Sequence, residues 1–339
     1  METQQSMEGG TISFGATPMP TISKKLDPSL QSHFDLLYRP KRLFGKSPET
    51  IRLYGFTFGY FRAFLGREPT IHDLDDAKIM ALMEWIVSKT NGLGLSLRTA
   101  NKTRDQLTAL WNFLARKSVV KTWPDVPSFP EPHRDPVGWT RDELKLLWQM
   151  CAAQRGLIAG VPADLWWLGI HSVAYDTLER IGAVRELRWS RVLYFDSHPD
   201  DDIWAHFPAE TRKGGMEPNS ARLHRDTVRI LRQIRAASDD ERVFPWNKAK
   251  EYLHTRYRIL RQKAGLPTDR FHSFHCIRRT GASFAEAAGA DASKLLRHSS
   301  RGVTERHYLV PSLTAAAQAC DVLRRPDAPK DGSDDPRAA

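Results

Sequence analysis

Towards the end of this 339-residue chain stand His275-Cys276-Ile277-Arg278, then Leu296-Arg297-His298-Ser299-Ser300, then Thr304-Glu305-Arg306-His307-Tyr308. An arginine and two histidines could surround a phosphodiester, and a tyrosine could attack it. A phenol with a pKa of about 10 is a weak nucleophile near neutral pH, so neighbouring cations matter. Arginine suits a clamp because its planar fork makes two bonds to phosphate and stays charged. His275 and Arg278 lie three apart at a predicted helix start and share a face. Arg278 is the clamp candidate, and His275 a base or hydrogen-bond donor. His298 follows a short predicted helix, and Ser299-Ser300 make a turn that could aim its ring into a cleft. No carboxylate cluster suited to magnesium accompanies these residues. The set points to metal-free cleavage of DNA through a tyrosine ester.

Each member has a plainer reading. A His-x-x-Arg pair is usually a surface feature, a loop histidine usually faces solvent, and Tyr308 could be a packing aromatic. A zinc site could be drawn from His272, His275, Cys276, His298 and His307, but their spacing matches no strong zinc pattern.

Lys and Arg total 50 against 40 acids, a net charge of +10. That balance favours a polyanionic partner, of which nucleic acid is the usual one. The hydrophobic fraction of 41% allows one large core or two ordinary ones. Cys151, Cys276 and Cys320 are too few and scattered for a disulfide framework, which suits a reducing compartment. Residues 1–23 lack a basic segment leading into an apolar run, and no apolar stretch approaches the roughly 20 residues of a membrane span. The expected location is the cytoplasm, with no membrane contact and no cofactor or metal.

The elements that must position the chemistry follow from pattern. Residues 1–25 are polar and read as a flexible arm, and 26–120 as a helical domain. Ser47-Pro48-Glu49 starts a helix. Ile51, Tyr54, Phe58, Phe61 and Leu65 share one of its faces. Further helices are expected over 75–89 and 96–117, the latter striped by Leu107, Leu110, Trp111 and Leu114. Arg98, Lys102, Arg104, Arg116 and Lys117 occupy its other faces. A solvated charged surface is the plain reading; beside a DNA-cleaving domain, phosphate contact is the expected one. Five prolines over 121–137 make an extended linker. Thr140 and Glu143 have capping-box spacing, with Trp139 and Leu144 as the staple. A catalytic domain over 138–325 is expected to hold helices near 140–154, 163–176, 180–187, 226–236, 248–264, 275–288, 292–296 and 313–323. Short strands are expected at 192–195, 203–207 and 221–223. The tail over 326–339 reads as disordered. The class is mostly α with a small antiparallel sheet.

The sequence resembles the tyrosine recombinases of the phage-integrase type. Leu178-Glu179-Arg180-Ile181-Gly182-Ala183-Val184-Arg185-Glu186-Leu187-Arg188-Trp189 is similar to the segment carrying that family's first catalytic arginine, implying Arg180. Glu210-Thr211-Arg212-Lys213-Gly214-Gly215 before Arg222-Leu223-His224 resembles the β-hairpin carrying the catalytic lysine, implying Lys213, with Arg212 one residue away. The three segments that open this section imply His275, Arg278, His298 and the nucleophile Tyr308. The helical region resembles the core-binding domain in pattern and place. Two departures are visible: Ala183 stands where the family carries an acid, and Arg297 where it carries glycine. The resemblance implies a 3′-phosphotyrosyl intermediate formed without metal or ATP, double-stranded DNA as partner, and a homotetramer at synapsis. It also implies that the helix over 313–323 docks on a neighbouring protomer, although the alanines at 315–317 suit packing in cis equally. A type IB topoisomerase and a catalytically degenerate DNA-binding protein are the competing readings.

Overall fold

The computed structural model describes residues 28–211, 217–298 and 300–314. The expected arm and tail, Cys320, Lys213 and the stretch of helix after Thr314 lie outside the described residues. The chain divides into two compact units, Met1–His133 and Arg134–Ala339.

The first unit is helical. Helix α1 (Leu30–His33), a π-helical turn over Phe34–Tyr38 and α2 (Arg39–Arg42) run on without a break. Then come α3 (Pro48–Leu65), α4 (Asp76–Val87) and α5 (Leu97–Arg116). Ser47, Asp75 and Ser96 each accept a hydrogen bond from a first-turn backbone N–H of α3, α4 and α5. Such caps satisfy donors that a helix start leaves open. The apolar stripes meet in one core of Phe34, Tyr54, Phe58, Phe61, Leu82, Ile86, Leu107, Leu110, Trp111 and Leu114. Asp73 is buried there and receives Nη1 and Nη2 of Arg67, Nζ of Lys78 and the Thr70 N–H and hydroxyl. Its charge is thereby satisfied, and those donors hold its pKa well below the usual carboxylate range.

The proline-rich stretch is extended and has no helix. Prolines remove backbone donors, so its carbonyls need partners from elsewhere. Helix α5 supplies them: Trp111 Nε1 donates to Thr122 O (2.8 Å), Arg104 Nε to Val126 O (2.8 Å) and Asn101 Nδ2 to Phe129 O (2.9 Å).

The second unit opens with α6 (Arg141–Ala152), where the Thr140–Glu143 capping box is complete. A two-residue hairpin, β1 (Leu157–Ile158) with β2 (Val161–Pro162), leads into α7 (Ala163–Thr177) and α8 (Ile181–Arg185). Strands β3 (Val192–Leu193), β4 (Trp204–Phe207) and β5 (Asn219–Arg222) form an antiparallel sheet in that order. Its register pairs Val192 with Ala205 and Phe207 with Asn219. Then follow α9 (Arg225–Ala237), α10 (Lys250–Lys263), α11 (His275–Ala287), α12 (Ala292–Leu296), α13 (Arg301–His307) and α14 (Pro311–Thr314). Helix α7 carries Trp166, Trp167, Ile170 and Val173 into the core and packs against α6, α9 and α11. The start of the expected C-terminal helix, α14, packs on α11 of the same chain. The architecture is mostly helical with two small antiparallel sheets. Among the described residues, no helix is long and apolar enough to cross a membrane.

Candidate active site

Three helix ends and two helix starts converge. Helix α7 stops at Leu178, whose left-handed backbone (φ 52) turns the chain sharply. Glu179 follows, and Arg180 caps the start of α8. Helix α11 begins at His275 and places Arg278 one turn on. Helix α12 ends at Leu296, and a second left-handed residue, Arg297, delivers His298. Helix α13 then leads to Tyr308, its C-terminal cap.

These turns gather five side chains. Nη2 of Arg180 donates to the Tyr308 hydroxyl at 3.5 Å. The Arg278 guanidinium lies 5.4 Å from the centre of the Tyr308 ring. The rings of His298 and His275 lie 4.3 Å and 5.0 Å from it, centroid to centroid. Tyr308 is only 6% exposed. The clefted surface in front of this cage has a volume of about 1330 Å³ and is lined in part by Arg180, Asn219, Lys294, Arg297 and His298.

Arg278 is held at both terminal nitrogens, while its buried Nε has no hydrogen-bond partner among the described residues. Nη1 donates to Leu178 O, and Nη2 donates to Leu296 O at 3.1 Å while facing His298 Nε2 at 3.5 Å. Burial pulls its pKa down to about 10, still charged at neutral pH. The approach that permits this is tight: a Cβ on Gly281 of α11 would come within 2.5 Å of Leu178 Cδ2. His298 Nδ1 shares a hydrogen bond of 2.9 Å with the Thr304 hydroxyl, which fixes its ring. His275 is pushed down to about 3, first by burial and then by the positive charges of Arg279, Arg278, Arg180 and His298. It is therefore a neutral imidazole. Ser283 Oγ accepts the Val310 N–H (2.9 Å), and its one proton is shared between Arg279 O (2.8 Å) and Tyr308 O (3.3 Å), pinning the segment after the tyrosine.

The sequence reading missed a buried acid. Glu179, 2% exposed, has a carboxylate oxygen 3.8 Å from Arg278 Nη1. It accepts Asn219 Nδ2 at 3.0 Å and the Arg180 N–H at 3.3 Å. With Ala183 buried in the apolar core, Glu179 is the carboxylate that faces the clamp. Its adjacency to Arg180 was the available signal; the turn at Leu178 that directs it inward was not readable.

Lys213 falls within 212–216, outside the described residues, on the connection between β4 and β5. The drawn zinc set does not gather: among the described residues no three His, Cys, Asp or Glu side chains could hold a metal ion. Cys151 and Cys276 are free and buried. On α5, Arg98, Lys102 and Arg116 are exposed and fall on one face, since 18 residues make five turns. Lys117, also exposed, caps the helix end. Arg104 differs, because its guanidinium is committed to Val126 O and Asp105.

No protein-family model and no curated protein matches the chain. Solved structures do. A lambda integrase dimer bound to a core site superposes with a TM-score of 0.61 at 16% identity, covering 89% of this chain and 99% of that one. The Tn1549 transposon integrase in complex with transposon right-end DNA gives 0.61 at 12% identity, over 83% and 95%. The XerH site-specific recombinase on a palindromic substrate gives 0.59 at 14%, over 78% and 76%. By these superpositions, this chain has the fold of the tyrosine recombinases.

Proposed function

We propose that the protein is a site-specific DNA recombinase that cuts and rejoins strands through a tyrosine ester. The observation carrying this reading is the cage itself: Tyr308 Oη lies 3.5 Å from Arg180, with Arg278, His275 and His298 around the ring, all from one chain. Tyr308 attacks the scissile phosphorus, a 3′-phosphotyrosyl bond forms, and the 5′-oxygen leaves. Arg180 and Arg278 neutralise the charge developing on the non-bridging oxygens, with a further hydrogen bond from His298. Such stabilisation is largest where the donors are fixed beforehand, as Leu178 and Leu296 fix Arg278 and Thr304 fixes His298.

His275 takes the phenolic proton. Burial is the first cause of its low basicity and the surrounding cations the second, and a substrate phosphate among those cations offsets their share. Lys213 protonates the leaving oxygen. The ester conserves the bond energy, so a partner strand's hydroxyl reseals it without ATP. The exposed cations Arg98, Lys102, Arg116 and Lys117 contact DNA phosphates, and the active assembly is a homotetramer on two duplex sites.

The test is a nicked suicide duplex that loses its 5′-hydroxyl fragment after cutting. Wild type should become covalently linked to DNA, and Tyr308→Phe should not. A Tyr308→Phe protein that still forms the adduct overturns the assignment. Relaxation of supercoiled DNA without paired sites would move the same chemistry to a topoisomerase.

A further inference from the structure

The corner that presents His298 is built on an unfavourable residue. At the end of α12 the Arg297 N–H donates to Lys294 O (3.1 Å) and the His298 N–H to Ser293 O (3.1 Å). This pair is the Schellman arrangement, whose left-handed position is usually glycine because a side chain there crowds the backbone. Here it is arginine, at φ 54 and ψ 46. Its side chain is exposed and lines the cleft beside His298 and Arg180. Nearby cations are engaged: Lys294 lies 3.6 Å from Asp291, and Arg301 pairs with Glu286 and Glu305. Among the described residues, no hydrogen bond or ion pair engages the Arg297 guanidinium. A side chain that strains its backbone and contributes no internal contact is accounted for by what it meets from outside.

We propose that Arg297 grips a DNA phosphate next to the scissile one, at the mouth of the cleft, an inference that rests on the recombinase reading above. The guanidinium offers two parallel donors to a backbone phosphate, and the strained turn aims them from the same corner that aims His298. It adds a cation to the site without adding one to the cage around Tyr308.

The test compares wild type with Arg297→Gly, Arg297→Ala and Arg297→Lys on the suicide duplex. Glycine and alanine should each slow adduct formation and weaken DNA binding about tenfold, as for loss of a charged hydrogen bond. The dependence of binding on salt should become shallower by about one released ion. Lysine should keep most of the binding and the full salt slope. Glycine should leave the thermal midpoint unchanged or higher, since it relieves the turn. Wild-type binding and cleavage in the glycine variant would overturn the inference, as would losses that track a lowered thermal midpoint. A wild type that forms no adduct would sink the recombinase reading and this inference with it; an adduct formed equally well by Arg297→Gly would sink this inference alone.

Discussion

The carbonyl of Leu178, at the left-handed end of α7, accepts a hydrogen bond from Nη1 of Arg278 one helix away. The backbone turn that leads to Arg180 thus orients Arg278. Gly281 makes the approach possible, because a methyl group there would strike the Leu178 side chain. Gly281→Ala should destabilise the unit by about 1–3 kcal/mol, as overpacking does. It should also slow adduct formation by about tenfold or more through misplacement of Arg278. Adding Leu178→Ala, which removes the obstructing methyl groups, should recover part of both losses. Thermal unfolding and the suicide-duplex assay read the two effects separately.

Glu179 should act through Arg278. Glu179→Gln keeps an acceptor for Asn219 but removes the charge 3.8 Å from the guanidinium. Adduct formation should fall about 10²-fold, with DNA affinity little changed. In an Arg278→Ala background the same substitution should cost almost nothing further, because coupled residues are not additive. Full additivity in this double-mutant cycle would assign Glu179 a role independent of Arg278.

Acid should weaken the second unit through its buried neutral histidines. Burial holds His171 down to about 4, and His275 is held down to about 3 by burial first and then by neighbouring cations. Between the ordinary histidine pKa near 6.5 and these values, the unfolded chain binds protons that the folded chain refuses. Stability from this source is complete above about pH 6.5 and falls as the pH drops. At pH 5 His171 alone should cost about 2 kcal/mol. Urea unfolding at pH 7 and pH 5 measures the drop, which should be smaller in His171→Phe. An equal drop in both proteins would mean that His171 is not held neutral.

Lys213 should be needed for the leaving group and for little else. With a normal duplex, Lys213→Ala should cleave at least about 10²-fold more slowly. With sulfur in the bridging 5′ position, the leaving group is a thiolate whose acid has a pKa near 8.5, and it departs without a proton. The variant should then approach wild-type rates. A defect that persists with the sulfur substrate would remove Lys213 from the general-acid role, and Arg212→Ala is the parallel arm.

The long helices were legible because one rule sufficed for each. Ser47, Asp75 and Ser96 marked starts, and Tyr54-Phe58-Phe61 or Leu107-Trp111-Leu114 marked inward faces. Trp139, Thr140, Glu143 and Leu144 likewise mark the start of α6. The short elements carried too little pattern. Only Thr304 is buried in α13, so no apolar period reveals that helix, and the β1–β2 hairpin has two residues in each strand. The chemistry-bearing types were readable from spacing, but the corners that aim them were not. Leu178 and Arg297 adopt left-handed backbones without being glycine; nothing in the sequence announces it at Leu178, and at Arg297 the one hint is that the resembled family carries glycine there. The bond from Arg104 to Val126 O was not readable for a related reason: the proline-rich stretch shows which carbonyls lack donors only once it lies along α5.

The serine clip that fastens Tyr308 to α11 has a consequence for ownership of the cut. Because the attacking residue is tethered beside its own chain's arginines, a blend of Tyr308→Phe and Arg180→Ala proteins contains no complete centre and should leave DNA intact. Each subunit should then cut only the strand seated in its own cage, and exchange should need two intact subunits, because the hydroxyl that reseals one ester is freed by another cut.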